Sequence, residues 1–254
     1  KTLLDCGCGE GTPMSRIFGK GIQVWGFDFV PDMVARARHN LTRNGIGERV
    51  WHGDITEGES FMPTEIDVPE AYDACIALGV FPHLQDDIGA LKNMAAVTKP
   101  GGTVLVEFRN LLFSLFTINR PSYELICNEL IRISDVSNRH PEMSDELEEI
   151  ATDLKDSFRL DLPPIRKGLN EIPGYDEILS KFHNPFDIGD MFAEAGLRHT
   201  NTHFYHYHAV PPMFESKHPQ LFRTLSLEME SDPSDWRGYF MASAFVAEAI
   251  RESN

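Results

Sequence analysis

The sequence predicts an α/β protein with a doubly wound parallel sheet and a helical cap inserted after the fifth strand. Short apolar runs alternate with amphipathic stretches over residues 1–110, as they do in βαβ units. This alternation stops after Arg109 and resumes near residue 186. The chain has 254 residues and no internal repeat, which is sufficient for one large α/β core with an insertion.

Five strands are predicted before the insertion, and helices connect them. The strands are the apolar segments 3–6, 22–27, 50–52, 72–78 and 103–108. The first helix, 12–18, follows a glycine-rich turn. The second begins at Pro31, buries Val34, Ala37 and Leu41 on one face, and ends at Asn44-Gly45. The third spans 85–97 and carries two aspartates in its first turn, where they favour the helix dipole.

The second half of the chain supplies the cap and then completes the sheet. Residues 111–185 contain two helical patterns and proline-rich loops, so we assign them to the cap. A helix over 186–195, a strand within 197–210 and a final apolar strand over 239–249 follow. A shorter insertion with a helix around 220–229 separates the last two strands. The predicted domains are therefore a core of residues 1–110 and 186–254, and a cap of residues 111–185.

The composition excludes several classes of function. Lys and Arg number 23 against 39 Asp and Glu, which gives a net charge of −16. Such a surface repels phosphate backbones and anionic lipids, so we expect neither nucleic-acid nor membrane partners. No apolar run approaches the roughly 18 residues of a membrane span. The four cysteines do not form a disulfide framework in a chain of this length, which favours reduced thiols and a cytoplasmic location.

A glycine-rich turn follows the first strand and is the first candidate binding element. Gly7, Gly9 and Gly11 let the backbone turn tightly and approach a ligand closely. A tight structural turn is the alternative, because such a pattern alone is weakly specific. Thr12 stands where a dinucleotide fingerprint has its third glycine, and Asp5 precedes the loop. A carboxylate there suits an ammonium or sulfonium ligand better than a pyrophosphate.

Two further aspartates follow the next strands and are candidate ligand acceptors. Asp28 ends the second strand, 17 residues after Gly11, and is placed to accept both hydroxyls of a ribose. Asp54 follows the third strand and is placed to accept from an exocyclic adenine amine. The alternative for both is a solvated acid at a turn or helix start.

The order of these motifs resembles the class I S-adenosylmethionine-dependent methyltransferases that act on small molecules. The matching segments are LLDCGCGEG at 3–11, VWGFDFVPDMVARAR at 24–38, GDI at 53–55, YDACIALGVFPHL at 72–84 and KPGGTVLVEFRN at 99–110. The resemblance implies a seven-stranded, Rossmann-like methyltransferase sheet whose last strand is antiparallel. It also implies S-adenosyl-L-methionine as the cofactor.

The same resemblance assigns roles to individual residues. Gly7, Gly9 and Gly11 would lie along the methionine part of the cofactor, with Asp5 near its amine. The residues implied for the remaining parts are Asp28 at the ribose, Phe29, Asp54 and Ile55 at the adenine, and Leu78, Gly79 and Val80 beside the methyl donor. We also expect natural residues to precede Lys1, because family members usually have helices there that close over cofactor and substrate.

Histidines and one arginine near strand ends are candidate catalytic groups. His83 follows the fourth strand, and His206 and His208 are predicted to share one face of a strand. A structural, hydrogen-bonded histidine is the alternative for each, and the same applies to His183 and His203. Arg109 ends the fifth strand and is placed to clamp an anionic substrate group or to pair with Glu107. Other candidate cavity residues are Arg120, Tyr123, Arg166, Tyr205 and Tyr207.

These observations predict an O-methyltransferase for a small polar metabolite, such as a sugar or natural-product intermediate. N-methylation of a small amine is the alternative within the same class. A nicotinamide-dependent dehydrogenase, or a non-catalytic cofactor-binding partner, is the alternative from another class. Asp5 and Thr12 argue against the dehydrogenase, and the intact loop argues against the non-catalytic partner. No metal is expected, and the cap surfaces make a homodimer reasonable.

Overall fold

The computed structural model describes residues 1–163 and 180–252. They form two compact units. The first comprises residues 1–109, 180–203 and 245–252; the second comprises the described residues of 110–179 together with 204–244. The sequence predicts that residues 204–244 belong to the core, whereas in the structure they share their contacts with the described residues of 110–179. Part of the expected cap, including the candidate Arg166, lies outside the described residues.

Seven strands form a single sheet in the order β3-β2-β1-β4-β5-β7-β6. Their bounds are β1 Thr2–Cys6, β2 Gln23–Asp28, β3 Val50–His52, β4 Tyr72–Ala77, β5 Thr98–Arg109, β6 Leu197–Tyr207 and β7 Ala242–Arg251. The pairs β1–β2, β1–β4, β2–β3 and β4–β5 are parallel. The strand order reverses at β1, so the carboxyl ends of β1, β2 and β4 flank a topological switch point.

The last strand runs antiparallel to β5. The Arg251 side chain at the end of β7 donates to the carbonyl of Thr98 at the start of β5. The N–H group of Asn110, just past the end of β5, donates to the Ser243 carbonyl near the start of β7, at 3.0 Å. The predicted seven-stranded α/β fold is therefore confirmed.

Helices flank the sheet and fill the connections between strands. In the first unit they are α1 Thr12–Phe18, α2 Pro31–Leu41, α3 Asp87–Val97 and, later in the chain, α8 Ile188–Glu194. In the second unit they are α4 Ser114–Thr117, α5 Arg120–Glu124, α6 Ile133–Arg139, α7 Ser144–Ser157, α9 Pro219–Met229 and α10 Gly238–Met241, with a π-helical turn at Leu125–Leu130. Among the residues that the structure describes, no helix is long and apolar enough to cross a membrane.

Helix α2 packs on the sheet through the face that the sequence predicts. Val34, Ala37 and Leu41 are buried against Leu3 and Val24 of the neighbouring strands. These positions recur at the spacing of one helical face, and burying them removes apolar side chains from water. The packing fixes the end of β2 and the glycine turn, which both border the site described below.

The prediction of a strand beginning at residue 239 is wrong. Gly238–Met241 form α10, and β7 begins at Ala242. The buried amide of Asn110 explains the helical turn, because its nitrogen donates to the carbonyls of Gly238, Tyr239 and Ala242 at 3.2, 2.9 and 2.8 Å. A strand would direct successive carbonyls to opposite sides, where one amide cannot reach them.

Replacing this donor tests its contribution to stability. Asn110→Asp keeps the shape of the side chain but turns a carboxylate toward three carbonyl oxygens. We expect the free energy of unfolding to fall by about 3 kcal/mol, since the carboxylate is repelled and the carbonyls lose their donor. Urea unfolding near neutral pH measures the loss. Asn128→Asp, the same change at an exposed position of the second unit, is the control, and equal losses in both variants would contradict the prediction.

Candidate functional site

A cavity of about 640 Å³ opens at the carboxyl ends of β1, β2, β3 and β4, within the first unit. Its walls include several residues that the sequence analysis singled out, namely Gly7, Asp28, Phe29, Asp54, Ile55, Gly79 and His83. These residues come from four separate strand ends. The parallel sheet brings them together, because all four strands end at the same edge.

The glycine turn is fastened to the end of β2 by its backbone. The N–H groups of Gly7 and Cys8 both donate to the Phe27 carbonyl, at 2.8 and 3.0 Å. A Cβ atom on Gly11 would lie 2.9 Å from Leu41 of α2, so this glycine permits close packing of the turn against the helix. Its predicted contact with a ligand stays a prediction.

Two glycines leave open space beside the backbone. Gly9 and Gly79 have φ values of +54° and +74°, in the left-handed region that side chains disfavour. Apart from the two neighbouring residues in the chain, no atom of the described residues lies within 4 Å of the position that a Cβ atom would take at either glycine. The backbone at these two turns is therefore accessible to a ligand.

Asp28 links the glycine turn to the start of α2. One carboxylate oxygen accepts from the Gly9 N–H group at 2.8 Å, and the other accepts from the Val30 N–H group at 2.9 Å. Each oxygen retains a further lone pair, so the carboxylate can accept additional hydrogen bonds from a ligand in the cavity. Asp28 thus combines a structural role with the acceptor chemistry predicted for it.

Asp5 lies under the turn and does not line the cavity. Its side chain is 1% exposed, and its Oδ2 atom has no hydrogen-bond partner among the described residues. Burial, together with the nearby charge of Asp28, raises the pKa of Asp5 to about 7. A buried carboxylate whose oxygen lacks a partner is stabilised when a cation or a hydrogen-bond donor approaches it. This property fits a cationic ligand above the turn.

The cavity wall near β3 is a tight turn that carries a carboxylate. Asp54 Oδ1 accepts from both the N–H and the O–H group of Thr56, at 2.8 and 2.7 Å. The Asp54 N–H group donates to Ser60 Oγ at 2.8 Å, and the Ile55 carbonyl accepts from Asn93. These bonds hold Asp54 and Ile55 at the cavity wall.

One exposed apolar side chain lines the cavity, and another directly precedes a lining residue. Phe29 is 65% exposed and Leu78 is 36% exposed, which leaves their surfaces available to a bound ring or alkyl group. The Phe29 carbonyl is held by His52 Nε2 at 2.9 Å. Exposed apolar side chains next to a polar cavity are typical of ligand sites.

The connection between β4 and α3 supplies a further wall, and part of it was missed by the sequence analysis. Val80, Leu84, Gln85 and Asp86 line the cavity beside His83. Asp86 also caps α3, its Oδ1 atom accepting from the Gly89 N–H group at 2.8 Å. The sequence predicts Asp86 only as a residue of the first helical turn, because its favourable interaction with the helix dipole accounts for an aspartate at this position. Gln85 and Thr56 gave no signal at all.

The other candidate catalytic groups are not part of this cavity wall. Arg109, at the end of β5, hydrogen-bonds Ser180. His206 and His208 belong to the second unit. The prediction that they share a face is wrong, because His206 has a φ of +52°, which breaks strand alternation. His206 is exposed, whereas His208 packs between Phe113 and Phe222, and burial lowers its pKa to about 4.

The structural histidines have carboxylate partners. His203 Nε2 lies 2.9 Å from Glu248, and His183 Nε2 lies 3.0 Å from Asp87. Within residues 1–163 and 180–252, no group of three or more His, Cys, Asp or Glu side chains is arranged to hold a metal ion.

Comparison with known proteins adds three findings on the sequence. Residues 4–106 match a family model described as a methyltransferase domain. The chain is 30% identical over 128 residues to glycine N-methyltransferase from Rattus norvegicus, covering 45% of this chain and 42% of that protein. It is 26% identical over 110 residues to ubiquinone biosynthesis O-methyltransferase from Aeromonas salmonicida (strain A449), covering 43% and 44% respectively. The chain thus spans less than half the length of both relatives.

The fold is also similar to solved structures. An S-adenosylmethionine-dependent methyltransferase from Clostridium acetobutylicum ATCC 824 superposes with a TM-score of 0.54 and 10% identity, over 99% of this chain and 84% of that one. At this identity the similarity concerns the fold.

The buried carboxyl group of Asp5 predicts a pH-dependent stability. Between about pH 4 and 7, the folded protein keeps a proton that the unfolded chain has released, so stability falls as the pH rises across this window. Asp5→Asn cannot ionise. The free energy of unfolding of Asp5→Asn minus that of the natural protein should therefore increase by about 2–4 kcal/mol as the pH rises from 4 to 8.

Urea unfolding of both proteins at several pH values measures this difference. Asp32→Asn, at an exposed position in the first turn of α2, serves as the control and should show little change. A constant difference between Asp5→Asn and the natural protein across the range would show that the pKa of Asp5 is not raised.

Proposed function

We propose that this protein, whose residues 4–106 match a methyltransferase domain, is a class I, S-adenosylmethionine-dependent enzyme that transfers a methyl group to a hydroxyl of a small polar metabolite. One observation carries this proposal: the glycine turn, Asp28 and His83 border a single cavity. The turn and Asp28 are suited to the cofactor, and His83 is suited to the acceptor.

The residues of the cavity fit S-adenosylmethionine. Its volume of about 640 Å³ is within the usual range for small-molecule sites. Gly9 and Gly79 leave the backbone open, and the orphaned Asp5 carboxyl suits a cationic ligand. Gly7 and Gly9 would hold the methionine part, with Asp5 buried beneath the turn near its amine, and Asp28 would hold the ribose. Phe29, Asp54 and Ile55 would hold the adenine, with Leu78 and Gly79 beside the methyl donor.

The cofactor supplies a methyl group on a positively charged sulfur, which is already activated for displacement. The chain therefore has to orient the two reactants and exclude water, which can contribute several kcal/mol to the rate. Val80 provides apolar surface in the cavity wall for this purpose, and the exposed Leu78 directly precedes the lining residue Gly79. His83 would accept the proton that a hydroxyl acceptor loses.

N-methylation of a small amine is the second candidate. Asp28, Asp54 and Asp86 all line the cavity, and its described walls contain no lysine or arginine. This charge favours a cationic or amine-bearing acceptor over an anionic one. One similar protein is named a glycine N-methyltransferase, and another is named an O-methyltransferase. Both relatives are named methyltransferases, which argues against the nicotinamide-dependent dehydrogenase.

We further propose that residues 111–185 provide the acceptor side of the site, with a sugar or natural-product intermediate as the substrate class. The segment interrupts the predicted core between β5 and α8 in the sequence. The four cysteines are free thiols, which supports a cytoplasmic location. Homodimer formation is part of the same proposal.

A methyl-transfer screen across hydroxyl- and amine-bearing metabolites tests the function, with release of S-adenosylhomocysteine as the readout. Turnover with a hydroxyl acceptor is the expected result. Turnover with amines alone would favour the second candidate. Binding of the cofactor without turnover of any acceptor class would contradict both.

The role of Asp28 predicts a loss of cofactor affinity on its removal. Asp28→Ala deletes the ribose acceptor and releases the Gly9 N–H group, so we expect S-adenosylmethionine binding to weaken at least about tenfold, equivalent to 1.4 kcal/mol. Isothermal titration calorimetry measures the affinity. Asp32→Ala removes an exposed carboxylate four residues away and should bind normally. Unchanged affinity in Asp28→Ala would contradict the proposed ribose site.

The role of His83 predicts a loss of turnover without a loss of cofactor binding. Removing the proton acceptor in His83→Ala should lower kcat about 10²-fold or more with a hydroxyl substrate. Cofactor affinity should stay within about twofold of the natural protein. His206→Ala tests the other candidate base in the same assay. Full activity in both variants would show that neither histidine is the base.

A further inference from the structure

The loop between β4 and α3, residues 80–86, forms much of one cavity wall. It contributes Val80, Leu84, Gln85 and Asp86 as well as His83. Its own support is short, consisting of a single 3₁₀ turn at Phe81–His83 with bonds from His83 N–H to the Val80 carbonyl and from Leu84 N–H to the Phe81 carbonyl. One such turn does not by itself fix a loop of this length. Its conformation depends on what packs behind it.

A second segment, residues 180–183, is hydrogen-bonded to this loop and to the end of β5. We call it the strap. The Lys181 N–H group donates to the Pro82 carbonyl at 2.8 Å, and the His183 N–H group donates to the Arg109 carbonyl at 2.8 Å. The strap therefore connects the β4–α3 loop with the end of β5. All of these residues belong to the first unit.

The side chains of the strap converge on Asp87. Its Oδ2 atom lies 2.6 Å from Lys181 Nζ and 3.0 Å from His183 Nε2. The His183 side chain is only 8% exposed, and its ring lies 4.6 Å from that of Phe108. Burial alone would raise the pKa of Asp87. The two hydrogen bonds outweigh this effect and lower the pKa below its usual value. A largely buried carboxylate is thus held by two donors from one short segment.

The histidine acts through its Nε2 proton. Nε2 faces the carboxylate, whereas Nδ1 is buried and has no hydrogen-bond partner among the described residues. Nε2 therefore carries the proton that Asp87 accepts. Because the ring is buried and its other nitrogen is unpaired, His183 is not placed to exchange protons with a substrate. Its role is to hold Asp87.

Asp87 is adjacent to a cavity residue. It is the first residue of α3, and Asp86 before it both caps the helix and lines the cavity. Fixing Asp87 from behind fixes where α3 begins, and with it Asp86. Through Pro82, the strap also fixes the residue next to His83.

We propose that His183 and Asp87 are a positioning pair, which holds the β4–α3 loop, with His83 and Asp86, in the geometry that binds the cofactor and orients the acceptor. The inference rests on the proposed function for the identity of the ligand. The contact between strap and loop does not depend on that identity, so the two can be tested separately.

Two substitutions of His183 separate donor loss from a change of volume. His183→Leu keeps an apolar side chain of similar size but removes the donor, and His183→Gln restores an N–H group. We expect His183→Leu to weaken S-adenosylhomocysteine binding by about tenfold or more, and His183→Gln to remain within about threefold of the natural protein. The His83 ring resonances, observed by NMR without ligand, should shift in His183→Leu and return in His183→Gln.

His203→Leu is the matched control, because it removes another histidine that pairs with a carboxylate of the same unit. It should leave both readouts unchanged. Lys181→Met removes the second donor to the same Asp87 oxygen and should act in the same direction as His183→Leu. It keeps the test decisive if His183→Leu does not fold, as judged by its thermal unfolding midpoint.

The outcomes distinguish this inference from the proposed function. A natural protein that does not bind S-adenosylhomocysteine would contradict the proposed function, and the His83 resonances would then decide the positioning role alone. Native affinity and unmoved His83 resonances in folded His183→Leu, or in Lys181→Met if that variant is used, would overturn the inference. So would an equal effect of His203→Leu.

Discussion

The attachment of the glycine turn to the end of β2 is the constraint on which the rest of the site depends. Gly7 and Cys8 donate to the Phe27 carbonyl, and Gly9 donates to Asp28. These bonds place an open stretch of backbone beside a carboxylate at the switch point of the sheet. Packing of α2 on the strands fixes the same two elements. The proposed cofactor site follows from strand order and three backbone donors, before any catalytic group is considered.

Negative charge has two different roles around this turn. Asp28 and Asp54 line the cavity and are supported by backbone or hydroxyl donors, so their carboxylates remain available as acceptors. Asp5 is buried beneath them without a partner at Oδ2, and its raised pKa of about 7 reflects that burial first and the neighbouring charge second. Burial at this position makes the charged form of the carboxyl group unfavourable. A cationic ligand is the chemistry that offsets such a cost.

The histidines illustrate how little residue type alone says about catalysis. His83 borders the cavity, His183 and His203 hold carboxylates, and His208 is enclosed by aromatic rings. Only the first can meet a substrate in the cavity of the first unit. The others contribute through packing and hydrogen bonds. In the case of His183, the hydrogen bond reaches the residue next to a cavity aspartate, which connects structural support to the proposed chemistry.

The sequence by itself determined the α/β class, the buried face of α2, the left-handed glycine turn and the aspartate at the end of β2, because each depends on local spacing and backbone preference. Only the tertiary structure decided that β7 starts at Ala242, that Asp5 is buried and that His206 leaves the strand pattern. It also brought Gln85 and Asp86 to the cavity wall and paired Asp87 with His183. These features depend on contacts between residues distant in the chain, such as Asn110 with α10, and no local pattern encodes them.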